Sequence, residues 1–103
     1  MPYKKVKTHY RKNYKTNHPA YIFAYIPKTK EYKYIGITHS PVTDGIKNIK
    51  MADNPNPKDK SQSYFRPFAS KGNEKIFSRY KYPWNTSKAN GQIARKIKYK
   101  NKQ

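Results

Sequence analysis

Cysteine is absent from this 103-residue chain, and acidic residues number only five. No disulfide and no thiolate zinc site can form, which fits a reducing, cytosolic setting. The carboxylates of Glu31, Asp44, Asp53, Asp59 and Glu74 stand singly in the sequence. A hard cation wants several oxygen ligands together, so neither a metal nor another cofactor is expected. No run nears the roughly 20 apolar residues that cross a bilayer. The basic start "MPYKKVKTHYRKNYK" is not followed by the apolar segment of a signal peptide, and no stretch has the strong amphipathicity of an interfacial helix. A membrane partner is not expected. Hydrophobic residues make up 34% of the chain and eleven residues are tyrosine, so one domain with a modest core is expected.

Positive charge is abundant instead. Lys and Arg total 24, giving a net charge of +19. Self-repulsion of that size disfavours a compact domain and makes a polyanion the natural partner. The cations interleave with aromatics in "SYFRPF", "SRYK" and "YKYPW". Lysines neutralise phosphates while tyrosines stack on unpaired bases, a combination suited to RNA that is single-stranded or looped.

Residues 1–18 read as a basic N-terminal arm, extended or disordered until it meets a phosphate backbone. The remainder, 19–103, reads as a single α+β domain, a small antiparallel β-sheet with a C-terminal helix. "AYIFAYI" and "EYKYIGIT" alternate as strands about a Pro27–Lys30 turn, with an isoleucine face inward and a tyrosine face outward. "PVTDGIKNIKMADNPNPKDK" is turn chemistry, and loops of that length are usually functional. "SYFRPF" is a short strand that Pro67 places at an edge or an end, and "EKIFSRYKY" is a further candidate strand. "TSKANGQIARKIKYK" is the helix, with Ser87 as cap and Ile93 and Ile97 one turn apart.

Metal-free RNA cleavage needs a base for the 2′-hydroxyl, cations for the phosphorane and an acid for the 5′-oxygen. His39, in "THS" at the end of the second strand, suits proton transfer near neutral pH, with His18 as a second candidate. Arg66 and Arg79 carry guanidinium forks that match phosphate oxygens. Only four arginines occur beside twenty lysines, so these two are the more selective marks. His9 reads as an ordinary residue of the arm.

"PAY" at 19–21 and "YIG" at 34–36 resemble the paired motif of GIY-YIG endonucleases, twelve residues apart. That resemblance implies a helix with a catalytic arginine after the second motif, where this chain has Pro41–Gly45, and a metal-binding glutamate, for which Glu74 alone remains.

A broader resemblance spans about residues 18–98. Small size, basic charge, a sheet-plus-helix pattern, "NPNPKDK", "SYFRPF" and "YPWNTSK" resemble RelE-type toxins and the nuclease group of barnase, EndoU and tRNA-cutting colicins. They are also similar to short basic proteins of phages and mobile elements. The resemblance implies a sheet-surface site drawn from His, Lys, Arg, Tyr and Ser/Thr, here His39, Ser63, Arg66, Arg79 and Ser87. Lys33, Lys47, Lys50, Lys58, Lys60, Tyr64 and Lys81 are the expected nucleic-acid contacts. The chain departs from the toxin pattern in ending on a helix.

The leading expectation is a metal-independent endoribonuclease of toxin or mobile-element type, cutting by 2′-hydroxyl attack. An acidic antitoxin or inhibitor protein is the expected second partner besides RNA. The rival expectation is a non-catalytic RNA- or DNA-binding protein, ribosome-associated or an accessory factor. A metal-dependent GIY-YIG-like endonuclease ranks third.

Overall fold

The computed structural model describes residues 4–97. Among them are seven strands: β1 (Lys4–Asn13), β2 (His18–Ile26), β3 (Glu31–Thr38), β4 (Val42–Thr43), β5 (Ile46–Lys47), β6 (Ile49–Lys50) and β7 (Tyr64–Asn73). A 3-10 turn at Glu74–Ile76 and one helix, α1 (Lys88–Arg95), follow. Five strands make one antiparallel sheet in the order β1-β2-β3-β7-β6, and β4 pairs with β5 as a small ribbon.

This corrects the expected α+β class. The domain is built on its sheet, and the helix is an eight-residue appendage. Ser87 does cap α1, accepting a bond from the Asn90 amide at 3.1 Å. The helix starts where its cap predicts but ends at Arg95, so residues 96–97 of the expected span are not helical, and residues 98–100 lie outside the described residues.

The expected free arm is corrected as well. Residues 4–13 are a strand of the sheet, paired along β2 from Lys4↔Tyr25 to Asn13↔His18; residues 1–3 lie outside the described residues. What holds the strand is Tyr10, fully buried, its ring 5.6 Å from Tyr21 and 5.6 Å from Trp84. Only Tyr10 and, on the other face, Val6 pack among the strand's polar side chains, which is why apolar periodicity gives so little sign of it.

Both faces of the sheet are covered, so the expected division into an inward isoleucine face and an outward tyrosine face is also corrected. Tyr10, Tyr21, Ile35, Ile37, Phe65 and Ala69 form the larger core with Ala94 of α1, and Tyr82 and Trp84 pack against it. Ala20, Ile22 and Phe77 form the smaller core on the other face, joined by Val6, Tyr32, Tyr34 and Ile76. The segment after β7 makes this possible by crossing the second face and rounding the β1 edge. Its path is fixed by bonds from Ser78 N to Lys12 O at 2.9 Å and from Tyr82 N to Tyr10 O at 2.8 Å. "EKIFSRYKY" is therefore a strap, not a strand of the sheet.

Two local features follow from sequence chemistry. Asp44 and Gly45 both have positive φ between β4 and β5, as a two-residue hairpin with the strands' own twist requires. In β7, three residues, 66–68, stand against Gly36 alone between the pairs Ile35↔Ala69 and Ile37↔Phe65. Pro67 lies in that bulge, so its missing N–H costs the sheet no ladder bond.

Candidate functional site

The second face carries two clefts on either side of the Phe77 ring. Tyr32 lines one and Tyr34 the other, with ring centroids 5.5 and 5.0 Å from Phe77.

The first cleft, of about 360 Å³, is lined by Val6, Lys7, His9, Arg11, Tyr25, Tyr32, Glu74 and Lys81. Alternation along β1 turns His9 and Arg11 to this face because Tyr10 turns to the other. Arg11 is fastened at two of its three nitrogens. Its Nη1 donates to the carbonyls of Ser78 and Arg79 at 2.8 and 2.9 Å, and its Nε donates to His9 Nε2 at 3.0 Å. The guanidinium lies 5.1 Å from the Tyr32 ring centre. Nη2 has no partner among the described residues. The fork is thus pre-set, with one edge left for an incoming anion.

That bonding also sets the state of His9. Nε2 accepts from Arg11, so the proton sits on Nδ1, which donates to the Lys7 carbonyl at 2.8 Å. Burial lowers the imidazole's proton affinity, and Arg11 and Lys81 lower it further against the opposing Lys7 carbonyl. Glu74 is the one carboxylate in the cleft. Its Oε1 accepts the Tyr25 hydroxyl at 2.6 Å, and that bond is the main cause pushing the Tyr25 phenol up. Cations therefore outnumber this acid, in a concavity shaped by tyrosine.

The second cleft, of about 330 Å³, is lined by His18, Tyr34, Gly36, Thr38, Thr43, Asp44, Arg66, Phe68 and Ser70, among others.

The residues expected from sequence are dispersed. His39 and Ser63 do meet, at 3.4 Å between Nδ1 and Oγ, and His39 Nε2 lies 3.3 Å from Asp59 Oδ2. Ser63, however, is only 1% exposed, which keeps its hydroxyl from a substrate. The His39 side chain is 57% exposed at the hairpin end and lines neither cleft. Asp59 is held below the usual carboxylate range chiefly by the Ser61 amide and hydroxyl, with His39 the weakest cause. Arg66 and His18 stand in the second cleft. Arg79 is exposed and offers its carbonyl to Arg11. Ser87 is occupied as the cap of α1. Of the expected contacts, Lys81 lines the first cleft. Lys47, Lys50, Lys58 and Lys60 are exposed elsewhere, Tyr64 pairs with Thr38 at the start of β7, and Lys33 stands opposite Lys71. Burial, then Lys71, lowers the Lys33 ammonium's proton affinity.

Sequence alone gave no role to Arg11, Tyr25 or Tyr32, placed His9 as an ordinary residue of the arm, and offered Glu74 only as a metal-binding glutamate. Only the i, i+2 spacing of His9 and Arg11 hints at a shared face. The GIY-YIG-like tyrosines do not converge, since Tyr21 is in the larger core and Tyr34 faces the other way.

Among the described residues no three His, Cys, Asp or Glu side chains gather as a metal site, and no helix is long and apolar enough to cross a membrane. No family model, curated protein or solved structure matches the chain.

Proposed function

We propose that the chain is a metal-independent endoribonuclease whose reaction centre is the Arg11–Glu74 cleft. The observation that carries this reading is the meeting of one carboxylate, one imidazole and a braced guanidinium in a single cationic concavity. Glu74 takes the proton of the 2′-hydroxyl, whose oxygen then forms its bond to phosphorus. Arg11, through Nη2, and Lys81 stabilise the added charge on the phosphorane oxygens. The P–O5′ bond breaks, and His9, protonated at Nε2 after that nitrogen parts from Arg11 Nε, supplies this proton to the departing oxygen. Arg11 meanwhile stays held through Nη1 by the Ser78 and Arg79 carbonyls. A phosphodiester anion beside His9 raises its proton affinity, offsetting the burial that keeps it neutral in the empty cleft. The products are a 2′,3′-cyclic phosphate and a 5′-hydroxyl. His, Arg, Lys and Tyr on a sheet surface are also the residue types that the nuclease resemblance implies.

The test is cleavage of single-stranded RNA in EDTA. Glu74→Gln is expected to lower the rate by about a hundredfold or more, with binding retained. His39→Ala, which touches neither cleft, leaves the rate unchanged. DNA of the same sequence is bound but not cut, since it lacks the nucleophile. Retardation of RNA with no cleavage under any of these conditions would instead establish the binding-protein reading.

A further inference from the structure

The second cleft has features that a cationic surface alone does not explain. Arg66 projects into it with Nη1 bonded to Asn48 Oδ1 at 2.6 Å. Asn48 is itself held three ways: its Nδ2 donates to the Ser40 carbonyl and to Thr43 Oγ1, both at 2.9 Å, and its amide donates to the Pro41 carbonyl at 2.9 Å. The guanidinium also lies 5.0 Å from the centre of the Phe68 ring. Space for the Arg66 stem comes from Gly36, where an added Cβ would sit 3.1 Å from Arg66 Cγ. Asp44 lines the same cleft yet makes no ion pair with Arg66 among the described residues. A guanidinium fixed in direction, flanked by aromatics and not neutralised by a carboxylate, is built to meet an anion.

We propose that this cleft is a second phosphate-and-base subsite, and that one unpaired RNA strand occupies both clefts, crossing the Phe77 ridge between them. Tyr32 and Tyr34 are two residues apart on β3, about 7 Å along a strand, a step that neighbouring units of an unstacked chain can span. Tyr34 and Phe68 give this cleft an aromatic lining, the kind of surface single-strand sites use for bases, whereas a duplex keeps its base faces covered. The proposal rests on the reading above only for the identity of the polyanion, not for cleavage.

The experiment measures fluorescence anisotropy with a labelled 2′-O-methyl RNA dodecamer, which cannot be cut by 2′-hydroxyl attack, alone and annealed to its complement. Arg66→Gln is expected to weaken single-strand binding about tenfold and to reduce the salt slope by about 0.7. Arg66→Lys, which keeps charge without the fork, falls in between. Gly36→Ala, which leaves Arg66 in place but displaces its stem, weakens binding several-fold. Lys88→Gln, an exposed lysine at the start of α1, changes it less than twofold. The proposal is overturned if Arg66→Gln costs no more than Lys88→Gln, or if the duplex binds as tightly as the single strand. Because the probe is uncuttable, a failure to cleave natural RNA leaves this result untouched.

Discussion

His9 is held neutral by its surroundings: burial strips water from the imidazolium, and Arg11 and Lys81 add like charge. Its folded-state affinity for a proton is below the ordinary value of 6.5, so the unfolded chain binds the proton more readily. Stability linked to His9 is therefore complete above about pH 6.5 and is lost as the pH falls below it. The melting temperature of the native chain is expected to drop between pH 7.5 and 5.5, and His9→Gln to shrink that drop by a few degrees. An equal drop in both would show that the imidazole is not kept neutral. His9 was illegible as a site residue because its meaning lies in the bond from Arg11 Nε and in the cleft it shares with Glu74 at the end of β7. His39 read as the better candidate because a strand end beside a loop is visible in sequence. Its neighbours, an Asp fixed by Ser61 and a buried serine, are not.

At the scale of elements, the strap after β7 determines where the clefts lie. Gly72 lets it cross: an added Cβ there would be 2.8 Å from Ile76 Cδ1 and 3.2 Å from Phe77. Gly72→Val is expected to lift Phe77 off the sheet and to destabilise by about 1–3 kcal/mol, measured by urea unfolding. Fluorescence of the single Trp84, on the opposite face, should keep its native position in the folded variant, locating the damage to the strap. The hairpin of β2 and β3 was legible because its alternation is regular and its turn polar. The segment after Ser40, read as one long loop, instead holds β4, β5 and β6, and its Asp-Gly pair forms a two-residue hairpin that suits positive φ. The edge strand β1 was not legible, because its apolar content is confined to Val6 and Tyr10 and its backbone bonds depend on a partner.

Across the whole molecule, a charge of +19 dominates the approach of any polyanion. If five phosphates of a single strand are neutralised, log K falls with log salt at a slope near about −3.5. Raising salt from about 50 to about 200 mM then weakens binding by roughly a hundredfold. Titration of the uncuttable dodecamer at four salt concentrations measures this, and a slope shallower than about −1 would mean that the charge is not spent on a strand. No such slope distinguishes the two clefts from the exposed lysines, which is why single-residue variants accompany it.

The sequence by itself determined the cationic character, the β2–β3 hairpin and the cap of α1, because each depends on composition or on residues a few positions apart. Tertiary structure alone decided that the N-terminal segment is a strand, that both sheet faces are covered and that Glu74 lines the same cleft as His9 and Arg11. Those facts depend on strand pairing and on a strap that rounds the sheet, interactions between residues distant in the chain, which local pattern does not encode.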